Sequence, residues 1–326
     1  MTLCRRTVLS LLAGAAAVPA VQPPTASADT YPLRPIHLVV GFTPGAASDV
    51  IGRLFAQGAG PLVGQQIAVE NKPGAGSIIA AQYVARAAKD GYTLFLPALS
   101  TLTNQIINPA PALDLNRDFA PIALLAIGAV VLVVNPASNV RSLSELIALA
   151  KAEPGGVLYG STGQGSLPQL AAELLAQRAG VKLTHVPYPG SPQIAEDLLA
   201  GRITMSFTIA SSVIGQIAAG QIVALATAAT KRPSALPNVP TMAEAGMPDF
   251  DTGLWLGLAA PIGTPRSAID KLAAAAHTAM HTPQALASLG KQAYDPLDAG
   301  PDAFAEFLRK ETARWTTVAR AAGMKS

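Results

Sequence analysis

Twice along this chain the apolar pattern alternates between the two-residue period of a strand and the 3.6-residue period of a helix. Such alternation admits few folds other than a mostly parallel α/β sheet. "IHLVVGF" (36–42) reads as a strand, "ASDVIGRLFAQGAGPLVG" as a helix, "QIAVENKP" (66–73) as a strand and turn, "SIIAAQYVARAAKDG" (77–91) as a helix and "YTLFLPA" (92–98) as a strand. The rhythm restarts with "AVVLVVNP" as a strand and "SLSELIALAKAEPGG" as a helix, with Ser142 as its cap and Glu145 three residues on. "VLYGSTG", "KLTHVPY" and "ITMSFTI" follow as strands, separated by the helices "SLPQLAAELLAQRAG" and "SPQIAEDLLAGR". After "GLWLGLAAPIGTP" come two amphipathic helices, around 266–281 and 301–322. No period of about 20–50 residues recurs, which excludes solenoids and propellers. Two doubly wound α/β units remain, with ligands expected at the carboxyl ends of their strands.

Composition narrows the partners. Of 326 residues, 50% are hydrophobic and 13% charged, which suits a packed two-domain protein. The formal charge of +3 includes Arg5 and Arg6, and aromatics make up 5%, so neither a basic run nor a base-stacking surface supports nucleic acid as a partner. Arg5 and Arg6 precede the apolar run "TVLSLLAGAAAVPAV", and Ala26, Ser27 and Ala28 supply small residues before Asp29, the pattern of an export signal cleaved near Ala28. The run is broken by Pro19 and is shorter than the ~20 residues an anchoring helix needs. "CRRTVL" fits both the twin-arginine and the general secretory route. Cys4, the single cysteine, falls within the signal, leaving the mature chain without disulfides or thiol chemistry.

The turn in "LVVGFTPGAASDVIGRLF" carries no charge between its strand and the start of its helix. Pro44 and Gly45 form the turn, Ala46 and Ala47 leave the backbone approachable, and Ser48 or Asp49 sits where helical N–H groups lack partners. Such a place suits an anion, although an ordinary βα turn uses the same residues. A phosphate loop is excluded, because Gly41 and Gly45 are one residue too close and Ala46 stands where lysine is needed. "YGSTGQGSLPQL" (159–170) and "HVPYPGSPQIAEDL" (185–198) repeat the arrangement in the second unit. Dinucleotide fingerprints fail at Ile79 and at Pro168.

"YPLRPIHLVVGFTPGAASDVIGRL", "VENKPGAGSIIAAQYVARAAKDGYTLFL", "DFAPIALL", "YGSTGQGS", "LPNVPTMAEAGMPDFDTGLWLGLAAPIGTP" and "ARWTTVARAAG" occur in this order. Together they resemble the solute-binding receptors of tripartite tricarboxylate transporters, the Bug-type periplasmic proteins, along essentially the whole mature chain. The resemblance implies a two-lobed periplasmic binding protein fold of type II-like kind, with two doubly wound sheets joined by two hinge crossings. It places residues 29–128 and 252–326 in the first lobe and 129–251 in the second. It implies a periplasmic monomer that captures a small organic carboxylate for membrane transporter subunits, with no cofactor, no metal and no reaction catalysed.

The family's binding positions carry over to Phe42, Gly45, Ala46, Ala47 and Asp49 in the first turn, and to Tyr188, Gly190 and Ser191 in the second. Ser161, Thr162, Gly163 and Gly165 match the loop that reaches the ligand's other end, and Ser100 is a further candidate. Asp49 is expected to cap the helix and fix the turn rather than touch an anion, which it would repel. The chain departs from the family at Ala46 and Ser191, each the second residue of a Gly-Gly pair, and at Pro189, Pro168 and Thr204. Positive φ at the first two would be costly. Thr204 replaces an aspartate that could pair a ligand's ammonium, which favours a plain carboxylic acid.

Two other classes stay open on the residues alone: an exported enzyme on the same scaffold, or a periplasmic interaction protein with a degenerate cleft. His277 and His281 are spaced i, i+4, but Thr278 stands where a zincin motif has glutamate. His37 and His185 fall in strand patterns and fit either core or cleft, with no nucleophile elbow beside them. Trp255 and Trp315 read as core, with Trp255 at the second crossing and able to border the cleft.

Overall fold

The structure, a computed structural model, describes residues 31–108, 113–163, 165–250, 252–291 and 293–324. The export signal and Cys4 lie outside the described residues. β1 (Ile36–Val40), α1 (Ala47–Val63), β2 (Ile67–Asn71), α2 (Ile78–Ala85) and β3 (Thr93–Leu96) form the first βαβαβ unit. α1 ends at Gly64, whose φ of 80° lets its N–H reach the Gly60 carbonyl, a left-handed terminus that glycine adopts without steric penalty. α3 (Leu99–Ile107), α4 (Leu115–Asp118) and β4 (Phe119–Gly128) follow, none of them marked by the alternation.

The second unit comprises β5 (Val130–Val134), α5 (Leu143–Ala152), β6 (Leu158–Ser161), α6 (Leu167–Ala179), β7 (Thr184–Pro187), α7 (Ser191–Leu199), β8 (Met205–Ile209), α8 (Ile214–Ala218) and β9 (Val223–Thr227). Ser142 caps α5, its hydroxyl accepting the Glu145 N–H at 3.2 Å. Glu145 does not close the expected box, since its carboxylate accepts the Arg141 N–H at 2.6 Å, one residue earlier. β10 (Leu254–Pro261), α9 (Arg266–Met280), α10 (Pro283–Lys291), β11 (Tyr294–Ala299) and α11 (Pro301–Ala321) complete the chain.

The strands form two sheets, β11-β4-β10-β3-β1-β2 and β7-β6-β8-β5-β9. β1 runs parallel to β2 and β3, and β6 parallel to β7 and β8. In both sheets an antiparallel strand closes the parallel trio, β10 against β3 and β5 against β8. The chain passes from the first sheet to the second through Ala129 alone, between β4 and β5, and returns between β9 and β10. α11 packs on β4 and α3 of the first layer and on α6 of the second, so it touches both.

β4 and β11 contain Pro121 and Pro296, residues that cannot donate to a ladder and are tolerated in strands at edges and bulges. Both sit at register shifts: Pro121 pairs with Ala259 next to the Leu258/Ala259 shift, and β11 slips against β4 between Pro296 and Ala299. Packing is tight where side chains are smallest. A Cβ at Gly257 would lie 2.3 Å from Cζ of Phe304, so this strand residue is glycine because an α11 ring occupies its face. No helix among the described residues is long and apolar enough to cross a membrane.

Candidate functional site

The carboxyl ends of β1, β3, β6, β7 and β8 open onto one cleft of about 390 Å³ between the two sheets. Four helices start there. Ala46, Ala47 and Ser48 line it from the start of α1, Ser100 from α3, Ser166 and Leu167 from α6, and Ser191 from α7. Helix starts carry N–H groups without intrahelical partners and the positive end of the macrodipole, so this end of the fold suits a carboxylate. A larger groove of about 940 Å³ runs beside the amino end of β2 and the carboxyl-terminal half of α1. There the dipole has the opposite sign and no βα turn converges.

Of the carried-over positions, the structure brings Phe42, Ala46, Ala47, Ser100, Thr162 and Ser191 to the cleft wall. Gly45, Asp49, Ser161, Gly163, Gly165, Tyr188 and Gly190 are not among the wall residues, and most of these shape the turns from behind. Gly45 adopts φ +83°, the left-handed conformation its turn requires, and its N–H donates to Oδ2 of Asp49 at 2.9 Å. Asp49, buried in the first turn of α1, also accepts from Arg53 Nε at 3.0 Å and from Asn71 Nδ2 at 2.8 Å. The Asn71 amide reaches the Phe42 carbonyl as well, at 3.0 Å. Asp49 therefore fixes the turn, as expected, but forms no side-chain cap on α1. Burial alone would raise its carboxyl. The hydrogen bonds from Arg53, the Gly45 N–H and Asn71 outweigh that and hold it below the usual carboxylate range.

The same device recurs in the second unit. Gly165, at φ +76°, donates its N–H to Oε1 of Gln169 four residues on, at 2.7 Å. Ser161 is fully buried, and its hydroxyl meets His185 Nε2 at 2.6 Å and accepts the Gly163 N–H at 3.1 Å. His185 stacks on Tyr159, with ring centroids 5.1 Å apart, and its Nδ1 faces the Gln169 amide at 3.5 Å. This serine and histidine brace the 161–166 loop from behind. The serine hydroxyl is not exposed to the cleft, and the histidine's far nitrogen meets an amide rather than a carboxylate, so the pair lacks the geometry of a hydrolytic triad.

Burial pushes His185 below its ordinary value, opposed by the Glu173 carboxylate. The unfolded chain thus takes up the proton more readily. The stabilisation is complete above about pH 6.5 and is lost as pH falls through the lowered folded value. We expect wild type to lose more stability than His185→Asn between pH 7 and pH 5 in urea titrations. Parallel losses in the two proteins would refute the brace.

Tyr188 donates its hydroxyl to Asp197 at 2.7 Å, and burial together with that carboxylate pushes its phenol up to about 12. Gly190 is the N-cap of α7 in an extended conformation, φ −170°, that any residue adopts. Ala46 has φ −64°, so the Gly-Gly departures at Ala46 and Ser191 impose no strained backbone. Thr204 lies at the amino end of β8, where its hydroxyl accepts the Leu158 N–H at 3.3 Å. A residue there has no part in the cleft wall, so Thr204 says nothing about a ligand's ammonium group.

Sequence reasoning named Ser48 beside Asp49 at the first turn but missed Ser166, Thr208, Ser211, Ser212 and Tyr294 at the wall. "FTIASS" carried the signal for three of them, a strand running into small hydroxyl residues. Tyr294 carried none, because β11 was unread. Trp255 is core, buried with its ring edge-on to Phe304 and Phe307. His37 pairs with Glu70 and His277 with Asp298, all four side chains well exposed. No group of three metal-ligating side chains occurs among the described residues.

The profile of the tripartite tricarboxylate transporter family receptor matches residues 51–324. Protein BugT of Bordetella pertussis is 34% identical over 301 residues, 92% of each chain. Among solved structures, a TctC solute binding protein from Polaromonas matches with a TM-score of 0.80 at 30% identity, covering 90% of this chain and 100% of the other. The R. palustris protein Rpa4515, solved with adipate, matches with a TM-score of 0.75 at 32% identity, covering 90% and 99%. The match runs from within α1 to the end of α11, and by it the chain belongs to the tripartite tricarboxylate transporter family of receptors.

Proposed function

We propose that this chain is an exported periplasmic receptor that holds a small organic carboxylate between its two lobes and delivers it to the membrane subunits of a tripartite tricarboxylate-type transporter. The lobes are residues 29–128 with 252–326, and residues 129–251. The chain acts as a monomer and catalyses no reaction. The observation that carries the reading is the convergence of four helix starts on one cleft whose described wall residues include no charged side chain. The adipate held by Rpa4515 supports the same ligand class. Removing a carboxylate from water costs several kcal/mol, and three or four charge-assisted hydrogen bonds at about 1.5–3 kcal/mol each offset it. A thermal-shift screen of mono-, di- and tricarboxylates against amino acids tests the reading. A carboxylate at 100 times its dissociation constant adds about 2.7 kcal/mol of stability, and a screen without a carboxylate hit would refute it.

Neutral donors inside a closed cleft are screened little by salt. Lys72 lies over the Tyr83 ring and Arg202 pairs with Asp197, so neither of these cations lines the wall. We expect the affinity of a confirmed carboxylate to change less than about threefold between low and high ionic strength. Titration calorimetry reads this directly, and a tenfold loss would mean that a cation holds the anion.

A further inference from the structure

α9 ends in "HTAMH", with His277 in its last turn and His281 as its C-cap. Residues four apart on a helix lie one above the other on a single face, and the two imidazole rings here have centroids 4.7 Å apart and planes tilted by 35°. His277 Nδ1 meets Oδ1 of Asp298, on β11, at 2.9 Å, and His281 Nδ1 meets the His277 carbonyl oxygen at 2.8 Å. A carboxylate and a carbonyl oxygen only accept, so both Nδ1 atoms carry a hydrogen and each neutral ring keeps its lone pair on Nε2. Among the described residues neither Nε2 has a hydrogen-bond partner, and both histidines are exposed.

Imidazoles that bind transition ions are held in this way: the ligating histidine donates its other ring N–H to a carboxylate or a backbone carbonyl, which fixes the tautomer and aims the ring. The spacing agrees. An ion about 2.0–2.1 Å from two imidazole nitrogens, at an angle of about 90–109°, sets the ring centroids roughly 4.5–5.2 Å apart. The pair also stands at the carboxyl end of α9, where the macrodipole favours a cation. Thr278, at the position of a zincin glutamate, donates its hydroxyl back to the Ala274 carbonyl at 3.1 Å. With no group of three metal-ligating side chains among the described residues, the protein supplies two ligands and water the remainder. None of His277, His281 and Asp298 lines the cleft.

The geometry points to a surface site for one divalent transition ion, held by Nε2 of His277 and Nε2 of His281 and completed by water, with Asp298 orienting His277 through its Nδ1–H. Two imidazole donors take Cu²⁺ most tightly, with Ni²⁺ and Zn²⁺ next. Mg²⁺ and Ca²⁺ require oxygen ligands and gain nothing from such a pair. Because Asp298 belongs to β11, the bound ion ties the end of α9 to that strand.

Calorimetric titration of the tag-free chain with Cu²⁺, Ni²⁺ and Mg²⁺ in a non-coordinating buffer tests the site. We expect one Cu²⁺ per chain at micromolar affinity, weaker binding of Ni²⁺ and no uptake of Mg²⁺. His277→Asn and His281→Asn should each lose at least about tenfold in Cu²⁺ affinity, and Asp298→Ala about tenfold, the loss that follows removal of an outer partner of a ligating histidine. His37→Asn, at the exposed pair with Glu70, should keep the wild-type affinity. The electron paramagnetic resonance spectrum of the wild-type Cu²⁺ complex should show two imidazole nitrogens, a reading that holds even if a variant folds poorly. Unchanged Cu²⁺ affinity in either histidine variant or in Asp298→Ala, a spectrum with a single imidazole nitrogen, or Mg²⁺ bound as tightly as Cu²⁺ overturns the inference.

Discussion

Ala46→Leu is expected to weaken the proposed carboxylate binding at least a hundredfold in a protein that melts within about 2 °C of wild type. Ala46 lines the cleft at the start of α1, and its backbone at φ −64°, ψ 156° accepts any L residue, so the larger side chain adds no strain. In the proposed reading it places three further carbons where the carboxylate would meet the Ala47 and Ser48 N–H groups. A hundredfold loss corresponds to about 2.7 kcal/mol, within what is lost when the charge-assisted bonds to one turn go unmade. Gly190→Val, by contrast, alters a residue outside the wall, and its Cβ meets only Gln193 Oε1 at 3.3 Å and Pro192 Cδ at 3.6 Å. Calorimetric titration of both variants with a confirmed ligand checks the pair. Retained affinity in Ala46→Leu would place the anion elsewhere.

Glu311→Ala is expected to cost about 3–5 kcal/mol of stability, the range for removing one member of a buried charged network. Glu311 is buried on α11, and its Oε2 accepts the indole N–H of Trp255 at 3.2 Å and of Trp315 at 2.9 Å. Its Oε1 lies 2.8 Å from the Arg314 guanidinium. The alanine variant leaves both indoles without that acceptor inside the core, between β10 and α11. At about 2–4 °C per kcal/mol for a chain of this class, the midpoint falls by roughly 10 °C. Glu311→Gln keeps an acceptor oxygen and should lose about half as much. Thermal unfolding of the three proteins reads the series, and a midpoint for Glu311→Ala within 2 °C of wild type would refute the clasp.

The sequence by itself determined the parallel units, because their periods switch cleanly and their boundaries are set by local chemistry. α9 and α11 fall within two residues of the expected helices, and Gly64 ends α1 where a left-handed residue is needed. It also located the turns at 42–49, 161–166 and 188–191, since glycine and small residues between strand and helix are a local signature. Of the antiparallel strands β5 was legible as a plain apolar run, but β4 and β11 were not. β4 and β11 carry prolines that argue against a strand, and only the bulges formed with neighbours distant in sequence make those prolines acceptable. α3 was hidden in an uncharged stretch, LSTLTNQII, rich in Ser, Thr, Asn and Gln.

Tertiary structure alone decided which residues face the cleft and which stand behind it. Asp49 and Ser161 lie in the turns that the sequence singled out, yet Asn71 from β2 and His185 from β7 turn their polar atoms inward as braces. β10 and β11 supply further wall residues in Leu254, Leu256 and Tyr294, far along the chain from every turn motif. The physical reason is one of range. A turn is set by the φ preferences and hydrogen bonds of four or five consecutive residues, whereas a cleft wall is set by which strands pair across a sheet, and that pairing is decided by burial summed over the whole fold.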